Sequence, residues 1–221
     1  MDNFDLNNFL LYKDSLVIVI NKLPGIAVHD ANLKTDNIGK FFHQITFGLP
    51  NPPELAHRLD MGTSGCLILG RHRKALQKLG ELFLNHKIVK KYHAILSNTP
   101  HEEFGTINAP IAKISTKKNH WHVKIDQENG KESITEYKVL RKLKNNMCLV
   151  EFTPITGRTH QLRIHAKHIN CPIMDDYLYN KDSKNTNKQI ALHAKHIEIP
   201  IYKDRSIIVD APYFENITRY L

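Results

Sequence analysis

The longest uninterrupted apolar run in the chain, Leu16 to Ile20, has the length of a strand. It falls far short of the roughly 18 to 20 residues that a membrane-crossing helix needs. Ser15 to Asn21 is rich in β-branched residues and is closed by Lys22-Leu23-Pro24-Gly25, a turn signal. Val89 to Leu96 alternates, so Lys90, Tyr92, Ala94 and Leu96 share one face of a strand. Ser133 to Leu140 and Met147 to Phe152 read as strands joined by a basic turn at Lys142 to Asn146, and Ile190 to Ile199 and Ser206 to Val209 return to strand. Helical spacing is confined to two segments. Leu76, Leu79 and Phe83 mark Lys74 to His86, and Thr156 to Ile169 starts with turn chemistry and then turns Leu162, Ala166 and Ile169 inward. Thr46 to Leu55 is a proline-rich loop, Lys113 to Gly130 a polar hairpin, and Asp182 to Lys188 a flexible polar loop. Strands outnumber helices and several are hairpin-linked, which predicts an α+β fold with a mixed, largely antiparallel sheet and packed helices. No linker or break in composition divides the chain, so residues 1–221 are read as one domain.

An apolar content of 41% with 24% charged residues fits a folded, soluble globular protein. The acidic start, Met1-Asp2-Asn3-Phe4-Asp5, lacks the basic-then-apolar layout of a secretion signal. Three widely spaced cysteines, Cys66, Cys148 and Cys171, form no Cys-x-x-Cys pair and fit structural thiols in a reducing cytoplasm. The net charge of +9 fits a polyanionic partner, because lysine and arginine gain by displacing counterions from phosphates. The basic residues cluster at Arg71 to Lys74, at Lys87, Lys90 and Lys91, and at Lys113, Lys117 and Lys118, runs that a loop or helix end usually carries as a solvated face.

Two motifs carry the chemistry. His57-Arg58-Leu59-Asp60-Met61-Gly62-Thr63-Ser64-Gly65 places a carboxylate in a glycine-containing turn ahead of the strand Cys66-Leu67-Ile68-Leu69. Such an aspartate is often only a turn former. It becomes a catalytic candidate if a fixed cation keeps it ionised, and Arg58, Arg158 and Arg163 are the candidates by sequence. The second motif is Thr156-Gly157-Arg158-Thr159-His160-Gln161-Leu162-Arg163. With Lys91-Tyr92-His93-Ala94, Pro172-Ile173, Asp176, Tyr179, Leu192-His193-Ala194 and the early Val19 to Gly25, the set spans about residues 17 to 200. In that order it resembles the RluA family of RNA pseudouridine synthases.

The resemblance implies a pseudouridine synthase catalytic domain that detaches uracil from its ribose in structured RNA, turns it and rejoins it through carbon 5. It also implies that no metal or organic cofactor takes part. Asp60 matches the family's essential aspartate, Tyr92 its active-site tyrosine, and Arg163 the basic residue that pairs with the aspartate. Arg58 matches an arginine that fills the space of the flipped nucleotide in some relatives, and Arg158, His160, Gln161 and Leu192 are expected at the substrate. The expected partner is a stem-loop of ribosomal or transfer RNA, bound in the cytoplasm by a monomer needing no protein partner. The chain lacks room for the N-terminal RNA-binding module of longer relatives. One position departs from the pattern: Asp175 stands where the family usually has glycine, and aspartate tolerates a left-handed backbone better than most residues.

Other readings were weighed on the residues themselves. A non-catalytic RNA-binding module would be expected to have lost one of Asp60, Tyr92 and Arg163. A glycosidase usually needs two carboxylates, and no second acid accompanies Asp60 in its motif. His57, His160 and His165 lack the cysteine or carboxylate spacing of a zinc site. The pentapeptide His-Ala-Lys-His-Ile at 165–169 and 193–197 is read as helix first and strand second, hence as coincidence and not a structural repeat.

Overall fold

A computed structural model describes residues 4–28, 37–115, 121–183 and 188–221. In chain order its strands are β1 (Leu10–Lys13), β2 (Val17–Lys22), β3 (Glu54–Leu55), β4 (Ser64–Gly70), β5 (Val89–Leu96) and β6 (Phe104–Asn108). They continue as β7 (Ile111–Ser115), β8 (Trp121–Ile125), β9 (Ile134–Lys142), β10 (Cys148–Pro154), β11 (Leu192–Ile199) and β12 (Ile207–Asp210). The α-helices are α1 (Arg73–Leu84), α2 (Gln161–His168) and the short α3 (Glu215–Thr218). Lys117 and Lys118 of the third basic cluster, and residues 184–187 of the polar loop, lie outside the described residues. Among the described residues no helix is long and apolar enough to cross a membrane.

The chain divides into two compact units, one of residues 1–90 and 193–215, the other of residues 91–192 and 216–221. In the first, β2 lies between β1 and β4, antiparallel to both. Every residue of β2 and of β4 is buried, as expected of apolar runs covered on both faces. The other edge of β4 is shared. Its start pairs in parallel with β11 and its end pairs antiparallel with β3, while β12 runs antiparallel to β11. The parallel contact at Gly65 is tight: the backbone there has φ +105°, and a Cβ would lie 2.3 Å from the Ala194 carbonyl oxygen. Only glycine fits both conditions. Helix α1 is capped by the His72 side chain, which accepts the Ala75 N–H, and it buries Ala75 and Leu79.

In the second unit β10 lies between β5 and β9, and β6 pairs with β9, all antiparallel. Tyr92 stands opposite Phe152, on the strand face that buries Ala94 and Leu96. The hairpin β7–β8 packs Ile111 and Val123 on Ile164 of α2 and on Tyr179. The mixed, largely antiparallel sheet structure with packed helices is thus as expected, and the described strands of the 113–130 stretch, β7 and β8, pair antiparallel.

Two expectations need correction. Helix α2 does not bury a single apolar stripe: Gln161 to Ala166 are all buried, and Ile169 is only partly so. The physical reason is that its polar residues have internal partners, described below. Arg71 is no solvated surface charge either. Its guanidinium donates to the carbonyls of Asp14, Thr46 and Phe47 at 2.7, 3.1 and 3.0 Å and staples two loops. The repeated pentapeptide is helix α2 with its cap at 165–169 and strand β11 at 193–197, as read.

Gly65→Ala should lower stability by about 3 kcal/mol, because strain from a left-handed alanine adds to a clash with backbone that cannot move aside. Urea unfolding would show it, and a loss below about 1 kcal/mol would mean that the β4–β11 contact yields.

Candidate active site

The Asp60 motif is hung on the exposed edge of β4 in the first unit. Between the β3 and β11 pairings, the Ile68 carbonyl accepts the Ala56 N–H at 3.1 Å, and the Ile68 N–H donates to Nε2 of His57 at 3.0 Å. That bond requires a neutral ring with Nε2 unprotonated. Burial against Phe83, with the Lys90 ammonium nearby, pulls the His57 pKa down to about 4 and so keeps that form. The chain then exposes Arg58, buries Leu59 and turns at Asp60, whose carbonyl accepts the Thr63 N–H at 3.0 Å. Asp60 is partly exposed, whereas Thr63 and Ser64 are buried and serve the turn.

Beneath this turn lies Lys22, with no exposed surface. Its ammonium donates to the carbonyls of Leu23, Ile26 and Met61 at 2.7, 2.9 and 3.2 Å, and the Met61 carbonyl also accepts the Gly25 N–H at 2.9 Å. All three ammonium protons are thereby engaged, and the Pro24-Gly25 turn is tied to the Asp60 turn. Burial pulls the Lys22 pKa down to about 7, and the Asp60 charge opposes that fall. Within this unit the Asp60 carboxylate and the Lys22 ammonium therefore act on one another. Sequence reading used Lys22 only to close a strand. The available signal was a lysine ending a run buried on both faces.

In the second unit, Arg158, His160, Gln161 and Arg163 gather where the 156–160 loop enters α2. The Gln161 amide makes all the bonds it can. Its Oε1 accepts from the Thr156 hydroxyl and the Arg158 N–H at 2.8 and 2.9 Å, and its Nε2 donates to the Ile134 carbonyl and the Thr135 hydroxyl, both at 3.0 Å. Thr135 lies 2.9 Å from Nδ1 of His165, whose Nε2 reaches the Ala109 carbonyl at 3.0 Å, so the ring is a neutral Nε2–H donor. Gln161 is thus framework, holding the loop to β9. Leu192 is buried as well. Arg158 is exposed, with Nε on the Glu132 carbonyl at 3.0 Å. His160 takes a left-handed backbone at φ 53° and shares a 2.8 Å hydrogen bond with the Tyr179 hydroxyl. A non-glycine residue in that conformation is locally strained and is held by its surroundings.

Arg163 is buried and clamped by Asp176: Nε donates to Oδ2 at 2.8 Å and Nη2 to Oδ1 at 2.7 Å. Oδ1 also accepts the N–H groups of Leu178 and Tyr179 at 3.0 and 3.2 Å. The guanidinium lies 5.0 Å from the Tyr179 ring centroid, within cation–π range. Asp176 was legible only as a motif position, and its role as the carboxylate that aims Arg163 comes from the structure. Next to it, Asp175 takes the left-handed backbone that its place in the motif predicts, at φ 61°. Its carboxylate accepts from Arg219 and Tyr220, and burial, with that carboxylate beside it, pushes the Tyr220 hydroxyl up to about 12.

The model of a family described as RNA pseudouridylate synthase matches residues 16–168, and the chain belongs to that family, as its motifs led one to expect. Ribosomal large subunit pseudouridine synthase C of Rickettsia conorii is 40% identical over 177 residues, which are 78% of this chain and 56% of that protein. An uncharacterised RNA pseudouridine synthase of Zymomonas mobilis is 38% identical over 174 residues, 77% of each chain. The structure of human RNA Pseudouridylate Synthase Domain Containing 4 superposes with a TM-score of 0.79 at 25% identity, covering 96% of this chain and 91% of that one. The chain therefore spans little more than half the length of the Rickettsia relative.

Two predictions follow from the buried charges. Asp176→Ala should cost about 3–5 kcal/mol by breaking a buried ion pair, whereas Arg163→Met with Asp176→Leu should cost clearly less than Asp176→Ala alone. Equal losses in urea unfolding would show that the pair's charges are not what the site depends on. Lys22 gives a pH signature. Its proton is held to about 10.5 when unfolded and to about 7 when folded, so between those values the unfolded state binds more protons and stability rises with pH. From pH 7 to 9 the wild type should gain stability relative to Lys22→Met. A constant difference in urea midpoints would rule out the depressed lysine.

Proposed function

We propose that this chain isomerises uridine to pseudouridine at selected sites in structured RNA, ribosomal or transfer. The observation that carries the reading is the family match over residues 16–168, which brackets Asp60, Tyr92 and Arg163. In the reaction the bond from ribose C1′ to uracil N1 breaks, a bond from C1′ to C5 forms, and the C5 proton leaves. No electrons are gained or lost, so the work falls on positioning and charge.

Asp60 is the group that stabilises or attacks the electron-poor centre as the glycosidic bond opens. Tyr92 offers an aromatic face for the extruded base, worth about 1–3 kcal/mol by analogy with single-stranded recognition. Arg163, fixed by Asp176, is a permanent positive charge, and its planar fork makes lysine a poor substitute. The exposed Arg58 and Arg158, with His160, bind the substrate RNA, while Gln161 and Leu192 hold the segments that present them. Extrusion costs a few kcal/mol, which favours loops and unpaired sites. The protein works in the cytoplasm as a monomer, with RNA as its partner and no cofactor.

The test is tritium release from RNA labelled at uracil C5, using total RNA from cells lacking the protein. Wild type should release tritium, and Asp60→Asn should reduce release at least about 10³-fold, an effect of the size seen when a key electrostatic group is lost, with RNA affinity kept within a few-fold. Release by Asp60→Asn equal to wild type would refute the aspartate mechanism. Binding without release by the wild type would favour a non-catalytic RNA-binding module.

A further inference from the structure

The second unit contains an open pocket of about 490 Å³ between strand β8 and the last turns of α2. None of Asp60, Tyr92 or Arg163 lines it. Its walls are apolar: Ile114, Val123 and Ile125 from the hairpin, Ile164 from α2, then Leu178 and the ring of Tyr179. Among the described residues its remaining lining is basic, with His122 and Lys124 on β8 and Lys167 and His168 on α2, and none is acidic. Lys124 has one ion pair, 3.0 Å to Asp126. The Lys167 ammonium stands 5.9 Å from the Tyr179 ring centroid, so a cation sits directly beside an aromatic wall. Within the two-stranded β7–β8 sheet, β8 also turns one edge toward this space, where the Val123 N–H reaches the Tyr179 hydroxyl at 3.4 Å.

An apolar wall beside lysine amines is the complement of a nucleobase carrying its phosphate. A peptide would be served by the strand edge, but it gives no reason for four basic residues and no acidic one among the described lining. We propose that this pocket binds an unstacked, non-reacting nucleotide of the substrate RNA, its base against Ile125 and Leu178 and its phosphate on Lys124 and Lys167. The proposal rests on the reading that RNA is the substrate, and it adds a second point of grip. It also joins that grip to the chemistry. Ile125 and Leu178 pack on the buried cluster that holds Tyr179, which bonds His160 and faces the Arg163 guanidinium.

The test uses a single-stranded oligouridylate carrying one 4-thiouridine, bound to the full chain over a range of salt concentrations. Lys124→Gln with Lys167→Gln should weaken binding and flatten the plot of log affinity against log salt by roughly 0.7, the loss of one phosphate contact. Lys144→Gln, on the exposed β9–β10 turn, is the control for net charge and should lower the slope by no more than wild-type scatter. Photocrosslinks should map to residues 122–125 or 178–179. Crosslinks confined to other segments, or equal slopes for the double variant and wild type, would overturn the pocket. Uridine 5′-monophosphate should shift the methyl NMR signals of Ile125 and Leu178. Shifts with inorganic phosphate alone, and none specific to the nucleotide, would reduce the pocket to an anion site and overturn the proposal. These readings do not use turnover, so failure of tritium release by the wild type would count against the catalytic function and leave the pocket to be judged on its own data.

Discussion

A lysine ammonium with no exposed surface must place each proton on an acceptor, and Lys22 does so with the carbonyls of Leu23, Ile26 and Met61. Two turns far apart in sequence thereby become one object, with Asp60 at its surface. Arg163 faces the same constraint in the second unit, where Asp176 takes two of its five N–H groups in parallel bonds and draws the Leu178 and Tyr179 N–H groups to the same carboxylate. Neither arrangement is the cheapest way to fill a core, since apolar residues of similar volume often serve stability as well or better. What a satisfied buried charge supplies is orientation, because a misplaced turn would strand it.

Most strands and the two longer helices were legible because apolar runs and turn residues report directly on burial and chain reversal, whereas the short β1, β3 and β6 carry no such run and were not read. Asp175 was legible for a different reason: a left-handed position admits few residue types, and aspartate is among them. The misreadings share one cause, the equation of polar with exposed. Gln161, Arg163 and His165 interrupt the apolar stripe of α2, yet all three are buried, because β9, the 172–176 turn and the Ala109 carbonyl supply their partners. Arg71 read as one charge in a solvated run, but loop carbonyls had claimed it. Partners contributed from 13 to 57 positions away leave no mark on local periodicity.

The repeated pentapeptide makes the same point from the opposite side. His165 and His193 sit in identical local sequence, one in a helix and one in a strand, and both are fully buried. His165 is placed by Thr135 and Ala109, His193 by the Ser64 hydroxyl at 2.8 Å and the Ala211 carbonyl at 3.3 Å. Five shared residues fix neither the backbone nor the partner. What is common is the chemistry, an imidazole ring bridging a hydroxyl and a carbonyl inside the protein.

His57 shows how framework and function are joined in one motif. It fills the gap in the edge of β4 that neither β3 nor β11 covers, and it does so as an acceptor, which a protonated ring could not be. Three residues later the chain presents Asp60, so the position of the carboxylate is inherited from the sheet through a single side-chain bond. The Thr156–Gln161 pair does the same for the second loop, from β9 to the exposed Arg158. A reaction that breaks and remakes one bond without a cofactor depends on charges already in place. In both motifs the residues beside the candidate groups are the ones that keep those charges in place, which is why so much of each motif lies buried.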